Sequence, residues 1–172
     1  MSVFTNKDYN SNDGMMTSVW GPPMWHLLHT ISFNYPVKPT SEQKKEYQAY
    51  FKSIQNVLPC KTCRENLHET LKEKPLTKKV FKNRETLSRW VYELHEIVNN
   101  LLGKSSNLTY EEIRDRFENF RARCINKKAV KTEKGCVEPL YGVKSKCVLN
   151  IIPKNNRSKS LKIDPKCILK KK

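Results

Sequence analysis

Apolar residues in the first 124 positions recur at the three- and four-residue intervals of a helix, and no stretch there alternates residue by residue as a half-buried strand would. Over 18–34, Trp20, Met24, Trp25, Leu27, Leu28, Ile31 and Phe33 predict a first helix with one buried stripe. Tyr35-Pro36-Val37-Lys38-Pro39 ends it, because proline lacks an amide donor and disfavours helix in the residue before it. Thr40 or Ser41 caps a second helix reaching Val57, with Tyr47, Tyr50, Phe51, Ile54 and Leu58 on its inner face. Pro59 introduces a third over 61–72, carried by Leu67 and Leu71 and closed by Pro75. The fourth, over 84–102, places Leu87, Trp90, Val91, Leu94, Val98, Leu101 and Leu102 on one side before the stop at Gly103. Thr109 caps a fifth segment over 110–123, with Ile113, Phe117 and Phe120 inward.

Five such segments with short connections predict an all-α fold, a four-helix bundle plus a short fifth helix. Three regions follow: a polar, disordered 1–17, a helical domain over 18–124, and a basic, mostly irregular extension over 125–172. Within the extension, 147–152 reads as a short strand.

Charge separates the same regions. The chain of 172 residues carries a net +16, and 125–172 alone holds 14 Lys+Arg against 3 Asp+Glu. Such a tail suits an anionic partner, whether nucleic acid, membrane surface or acidic protein, or a merely solvated segment. No apolar run reaches the roughly 18 residues of a membrane span, and the first fifteen residues do not read as a secretory signal. A soluble, cytosol-made protein is the expectation. In that setting the six cysteines, at 60, 63, 124, 136, 147 and 167, point to catalytic or metal chemistry before a structural disulfide framework.

Cys60-Lys61-Thr62-Cys63 carries the sharpest chemical signal, since Pro59 places both sulfurs in the first turn of the third helix. The positive end of the helix dipole and the unpaired amides there stabilise a thiolate, and Lys61 and Arg64 act in the same sense. A zinc site is the alternative for the spacing, but the remaining donors, His68 and the scattered cysteines, form no second matched pair. A thioredoxin-like setting requires a βαβ unit that this stretch lacks. The dithiol has company: Trp25 and His29 lie one turn apart on the first helix, and Trp90, His95 and Asn99 share a side of the fourth. Flat aromatics can enclose a planar ring while imidazole and amide groups hold its polar edges.

Gly21-x3-Trp25-x-Leu27-Leu28-His29, Tyr35-Pro36, Pro59-Cys60-x-x-Cys63 and Trp90-x4-His95-x2-Val98-Asn99-x2-Leu102-Gly103-Lys104 occur in this order, and together they resemble the Erv/ALR family of FAD-linked sulfhydryl oxidases. The resemblance covers 18–124. It implies a helical bundle, usually a homodimer, that binds FAD through Trp25, His29, His95, Val98, Asn99 and Lys104. It further implies that Cys60 accepts electrons from protein dithiol substrates, that Cys63 faces the flavin, and that molecular oxygen is reduced to hydrogen peroxide. Members occur in the mitochondrial intermembrane space, the secretory pathway and large cytoplasmic DNA viruses, so a viral chain would act in host cytoplasm or virion. Two departures stand out: Glu96 follows His95 where the family has asparagine, and Cys124 lacks the usual preceding cysteine. A second dithiol that shuttles electrons is common in the family, for which Cys136 with Cys147 is the leading pair, Cys167 being the other cysteine of the tail. The competing function is a zinc-stabilised or basic interaction module.

Overall fold

The computed structural model describes residues 4–125, 135–156 and 162–167. Its helices are α1 (Asn6–Asn10), α2 (Thr17–Asn34), α3 (Ser41–Val57), α4 (Lys61–Glu73), α5 (Arg84–Leu101) and α6 (Tyr110–Glu118), followed by strands β1 (Ala122–Ile125) and β2 (Gly135–Pro139). The described part of the fold is all-α apart from that one two-stranded antiparallel sheet.

Helix starts are set by side chains that satisfy the first free amides. Thr40, Asn83 and Thr109 cap α3, α5 and α6, each accepting from the amide three residues on, while Gln43, Thr86 and Glu112 return the bond. Helix α4 begins differently. Its N-cap is Cys60, whose Sγ accepts the Cys63 amide at 3.1 Å.

Two compact units make up the chain, residues 1–106 and 107–172. In the first, α2 packs on α5 and α3 on α4. Leu28, Phe51, Ile54, Leu67, Leu87, Trp90, Val91 and Leu94 fill the space between, as the helical stripes predict. Tyr35, Val80 and Phe81 join them from the connections. Tyr35 is fully buried at the end of α2, where its hydroxyl donates to the Phe81 carbonyl at 2.9 Å and its own carbonyl accepts from Arg84 Nε at 2.7 Å. These bonds tie the α2 terminus to the start of α5.

Four sequence expectations need correction here. Leu27, Leu101 and Leu102 are exposed: Leu27 neighbours the buried Leu28 and so points about 100° away from it, and the other two lie beyond Leu94, the last core residue of α5. The fifth predicted helix stops at Glu118 instead of running to Arg123, because a turn at Asn119 and Phe120 hands the chain to β1, which pairs with β2. Residues 147–152 form no strand; Val148, Leu149, Ile151 and Ile152 lie exposed, without the neighbouring strand or covering layer that β structure requires. Residues 4–16, read from composition as disordered, carry α1 and an isolated antiparallel bridge between Gly14 and Cys60.

Candidate active site

Cys60 and Cys63 form a disulfide with their Cα atoms 5.2 Å apart. An N-cap and the third residue of the following helix are neighbours across one turn, so the capping geometry itself brings the sulfurs together. Both residues are half-buried. Cys63 stands one turn before the core residue Leu67 on α4, placing it on the inward side of the helix, whereas Cys60 is the cap residue ahead of the first turn. Arg64 is held nearby, donating to the Leu58 carbonyl at 2.6 Å.

A short strap pairs with the backbone on both sides of Cys60. Met15 N–H donates to the Pro59 carbonyl at 2.7 Å and Lys61 N–H to the Asp13 carbonyl at 2.9 Å. Gly14 lies between at φ +121°, where a Cβ would stand 2.3 Å from the Pro59 oxygen and 2.7 Å from the Cys60 Cα. Trp20 Nε1 donates to the Met15 carbonyl at 2.9 Å and holds the strap's far end. Sequence reading missed this contact, since a glycine in a polar Asn-rich segment gives no signal of what it will meet.

The second constellation joins α2 to α5. The Trp25 and His95 rings stack with centroids 4.0 Å apart and planes 7° from parallel. His29 Nε2 and His95 Nδ1 share a hydrogen bond at 3.0 Å, and the Phe33 ring lies beside His29 at 6.4 Å. One imidazole donates and the other accepts, which requires a proton on one of the two facing nitrogens only. Electrostatics agrees. Burial, reinforced by neighbouring His95 and His26, lowers the His29 pKa to about 3. Burial likewise lowers His95 to about 4, against the opposing pull of the Glu96 carboxylate. Both rings are neutral near pH 7 and offer a polar edge without a charge.

Further along α5, Val98 and Asn99 are half-buried, and Asn99 Nδ2 donates to Glu96 Oε1 at 2.9 Å. Glu96, the departure from the family pattern, thus orients the amide that follows it. Lys104 is exposed just past the helix, its backbone amide bonded to the Asn99 carbonyl at 2.8 Å. Trp25, His29 and His95 are therefore in mutual contact, and Val98, Asn99 and Lys104 continue from them in sequence. Trp90 is different: it is core, edge-on to Phe51 at 6.2 Å. Its buried Nε1 meets no hydrogen-bond partner among the described residues.

This donor set fits a planar, hydrogen-bonding cofactor. Trp25 and His95 present flat faces parallel to one another, and two neutral imidazoles supply polar edges. A zinc centre fits poorly. Cys60 and Cys63 are bonded to each other, His68 Nδ1 bonds Gln55 Oε1 at 3.1 Å, and no group of three or more His, Cys, Asp or Glu gathers among the described residues.

The extension revises the shuttle expectation. Cys136 is already disulfide-bonded, so it does not pair with Cys147, which is a free thiol like Cys167. Cys136 stands opposite Cys124 in the backbone register of β1 and β2; the partner sought for Cys124 is a matter of its side chain, which lies outside the described residues.

The model of the Erv1 / Alr family matches residues 22–118. A probable FAD-linked sulfhydryl oxidase of Acanthamoeba polyphaga mimivirus is 40% identical over 98 residues, covering 57% of this chain and 68% of that protein. The FAD-linked sulfhydryl oxidase ERV1 of Arabidopsis thaliana is 33% identical over 84 residues, 49% of this chain and 42% of its own length. Among solved structures, the FAD binding domain of Erv1 from Saccharomyces cerevisiae superposes with a TM-score of 0.55 at 28% identity, covering 60% of this chain and 94% of that domain.

Proposed function

The chain belongs to the Erv1/Alr family, and on that premise we propose that it is an FAD-dependent sulfhydryl oxidase that forms disulfides in protein dithiols and reduces molecular oxygen to hydrogen peroxide. The observation that carries the reading is the Cys60–Cys63 disulfide at the N-terminus of α4, in a bundle that also stacks Trp25 on His95.

A substrate thiolate attacks Cys60 Sγ, the S–S bond breaks, and Cys63 leaves as a thiolate. The place of Cys60 ahead of the first turn of α4, with Cys63 one turn before the core residue Leu67, supports these roles. The second substrate thiolate then attacks the substrate sulfur of the mixed disulfide and releases Cys60, so two thiols have lost two electrons and two protons. Positive charge at the start of α4 favours both departing thiolates, because a leaving sulfur departs faster when its anion is stabilised. FAD, when bound, supplies the two-electron acceptor that restores the disulfide and passes the pair to oxygen. Trp25 and His95 would cover its flat surface, His29 and Asn99 hold polar edges, Val98 exclude water, and Lys104 meet phosphate.

The proposal extends to assembly and place. Leu27, exposed on α2, leads one turn on to an apolar groove of 240 Å³ lined by Ile31, Tyr47 and Tyr50 with Glu46, a surface suited to a homodimer. The basic extension would engage an anionic partner. No helix among the described residues is long and apolar enough to cross a membrane. Likeness to the mimivirus protein supports action in a host cytoplasm or virion. The activity is tested by oxygen uptake and peroxide yield with a reduced protein substrate or dithiothreitol. The reading requires stoichiometric peroxide, and FAD-loaded protein that consumes no oxygen with any thiol contradicts it.

A further inference from the structure

Residues 13–15 hold the two peptide groups that flank Cys60, one through the Pro59 carbonyl and one through the Lys61 amide. Gly14 lies so close over the Cys60 backbone that no other side chain fits without lifting the segment. We infer that Asp13-Gly14-Met15 is a positioning strap: by clamping the chain on both sides of Cys60 it keeps that sulfur in the capping position over the Cys63 amide when the disulfide is open. The use made of the sulfur rests on the oxidase reading; the clamp itself does not.

In the closed disulfide the S–S bond joins the sulfurs whatever else holds Cys60, so the strap adds little there. Reduction removes that tether. Cys60 has an extended backbone, φ −165° and ψ 117°; its own N–H donates to the Leu58 carbonyl at 2.8 Å and its carbonyl accepts the Arg64 N–H at 3.1 Å, which leaves the Pro59 carbonyl and the Lys61 N–H to a further restraint on it. The strap fixes it from the N-terminal side, outside α4 and outside the ring cluster. Held there, the Cys60 thiolate accepts the Cys63 N–H and lies at the positive end of the helix; released, it loses both. Gly14 and its neighbours thus act through Cys60, raising the thiolate population that attacks and leaves, while no residue of the strap touches substrate.

Trp20 provides an independent reporter, because its indole N–H is bonded to the Met15 carbonyl and must shift when the strap lifts. Two full-length variants test the inference. Gly14→Ala drives a methyl into the Pro59 carbonyl, and Met15→Pro removes the amide that bonds it while leaving an exposed side-chain position. Each is reduced, the rate of Cys60 alkylation by iodoacetamide is followed against pH by peptide mass, and the Trp20 indole resonance and thermal midpoint are recorded. The midpoint of the alkylation profile should rise by about half a unit to one unit, a loss of roughly three- to tenfold in thiolate at a fixed pH below it. The indole resonance should move while helix content stays, and a variant without helical circular dichroism is set aside in favour of the other. An unshifted alkylation profile with a displaced indole resonance overturns the inference, and so does an indole resonance that Gly14→Ala leaves in place. Alkylation needs neither flavin nor oxygen, so protein that proves unable to bind FAD would sink the oxidase reading while this measurement still decides the strap.

Discussion

At the scale of single residues, His29 and His95 show how burial sets chemistry. Both are neutral in the folded chain, His29 buried and His95 half-buried, with pKa values of about 3 and about 4, while unfolding restores ordinary imidazoles. The unfolded state therefore binds more protons below about pH 6.5, so stability is full above that value and falls as pH drops toward the folded pKa values. Urea titrations should show a loss of about 1 kcal/mol for each histidine by pH 5.5, and His29→Gln should flatten that slope. At the dithiol, Cys60→Ser and Cys63→Ser should each abolish thiol-dependent oxygen uptake with flavin still bound, which absorbance and an oxygen electrode check on one sample. Most of these residues were legible from spacing, since i, i+4 pairs on a helix share a side whatever the packing. Gly14 was not: its role depends on a backbone 46 positions away, and periodicity carries no information about such contacts.

Helices α2 to α5 follow from the sequence almost to their ends, because each carries an apolar stripe and α3, α4 and α5 add a side-chain cap, which α2, starting after Met16, lacks. Leu87 is fully buried in the first turns of α5, and Leu87→Ala should cost about 2–5 kcal/mol in chemical denaturation. Asn83→Ala, which removes only the cap, should cost about 1 kcal/mol. Legibility fails where structure is decided between segments. Phe81 and Val80 lie in a connection with no period of its own, yet they enter the core because Tyr35 bonds the Phe81 carbonyl. The stripe through Phe120 does suggest more helix; pairing of 122–125 with 135–139 overrides it. Conversely 147–152 has strand composition and, among the described residues, no strand to pair with.

On the scale of the whole molecule, hydrophobic burial supports the bundle while charge accumulates in the extension, where 14 Lys+Arg face 3 Asp+Glu. Removing 140–172 should leave flavin content unchanged and bring elution from a heparin column to lower salt, because fewer lysines then release counterions. Everything assigned to the dithiol depends on its disulfide exchanging electrons with a flavin held by this chain. The direct measurement is the absorption spectrum of the purified protein under nitrogen before and after addition of dithiothreitol. A bound flavin whose blue band bleaches in the wild type, recovers on admitting air and persists unbleached in Cys63→Ser is the predicted result. A protein that holds no flavin, or holds one that the thiol bleaches equally well without Cys63, would contradict it.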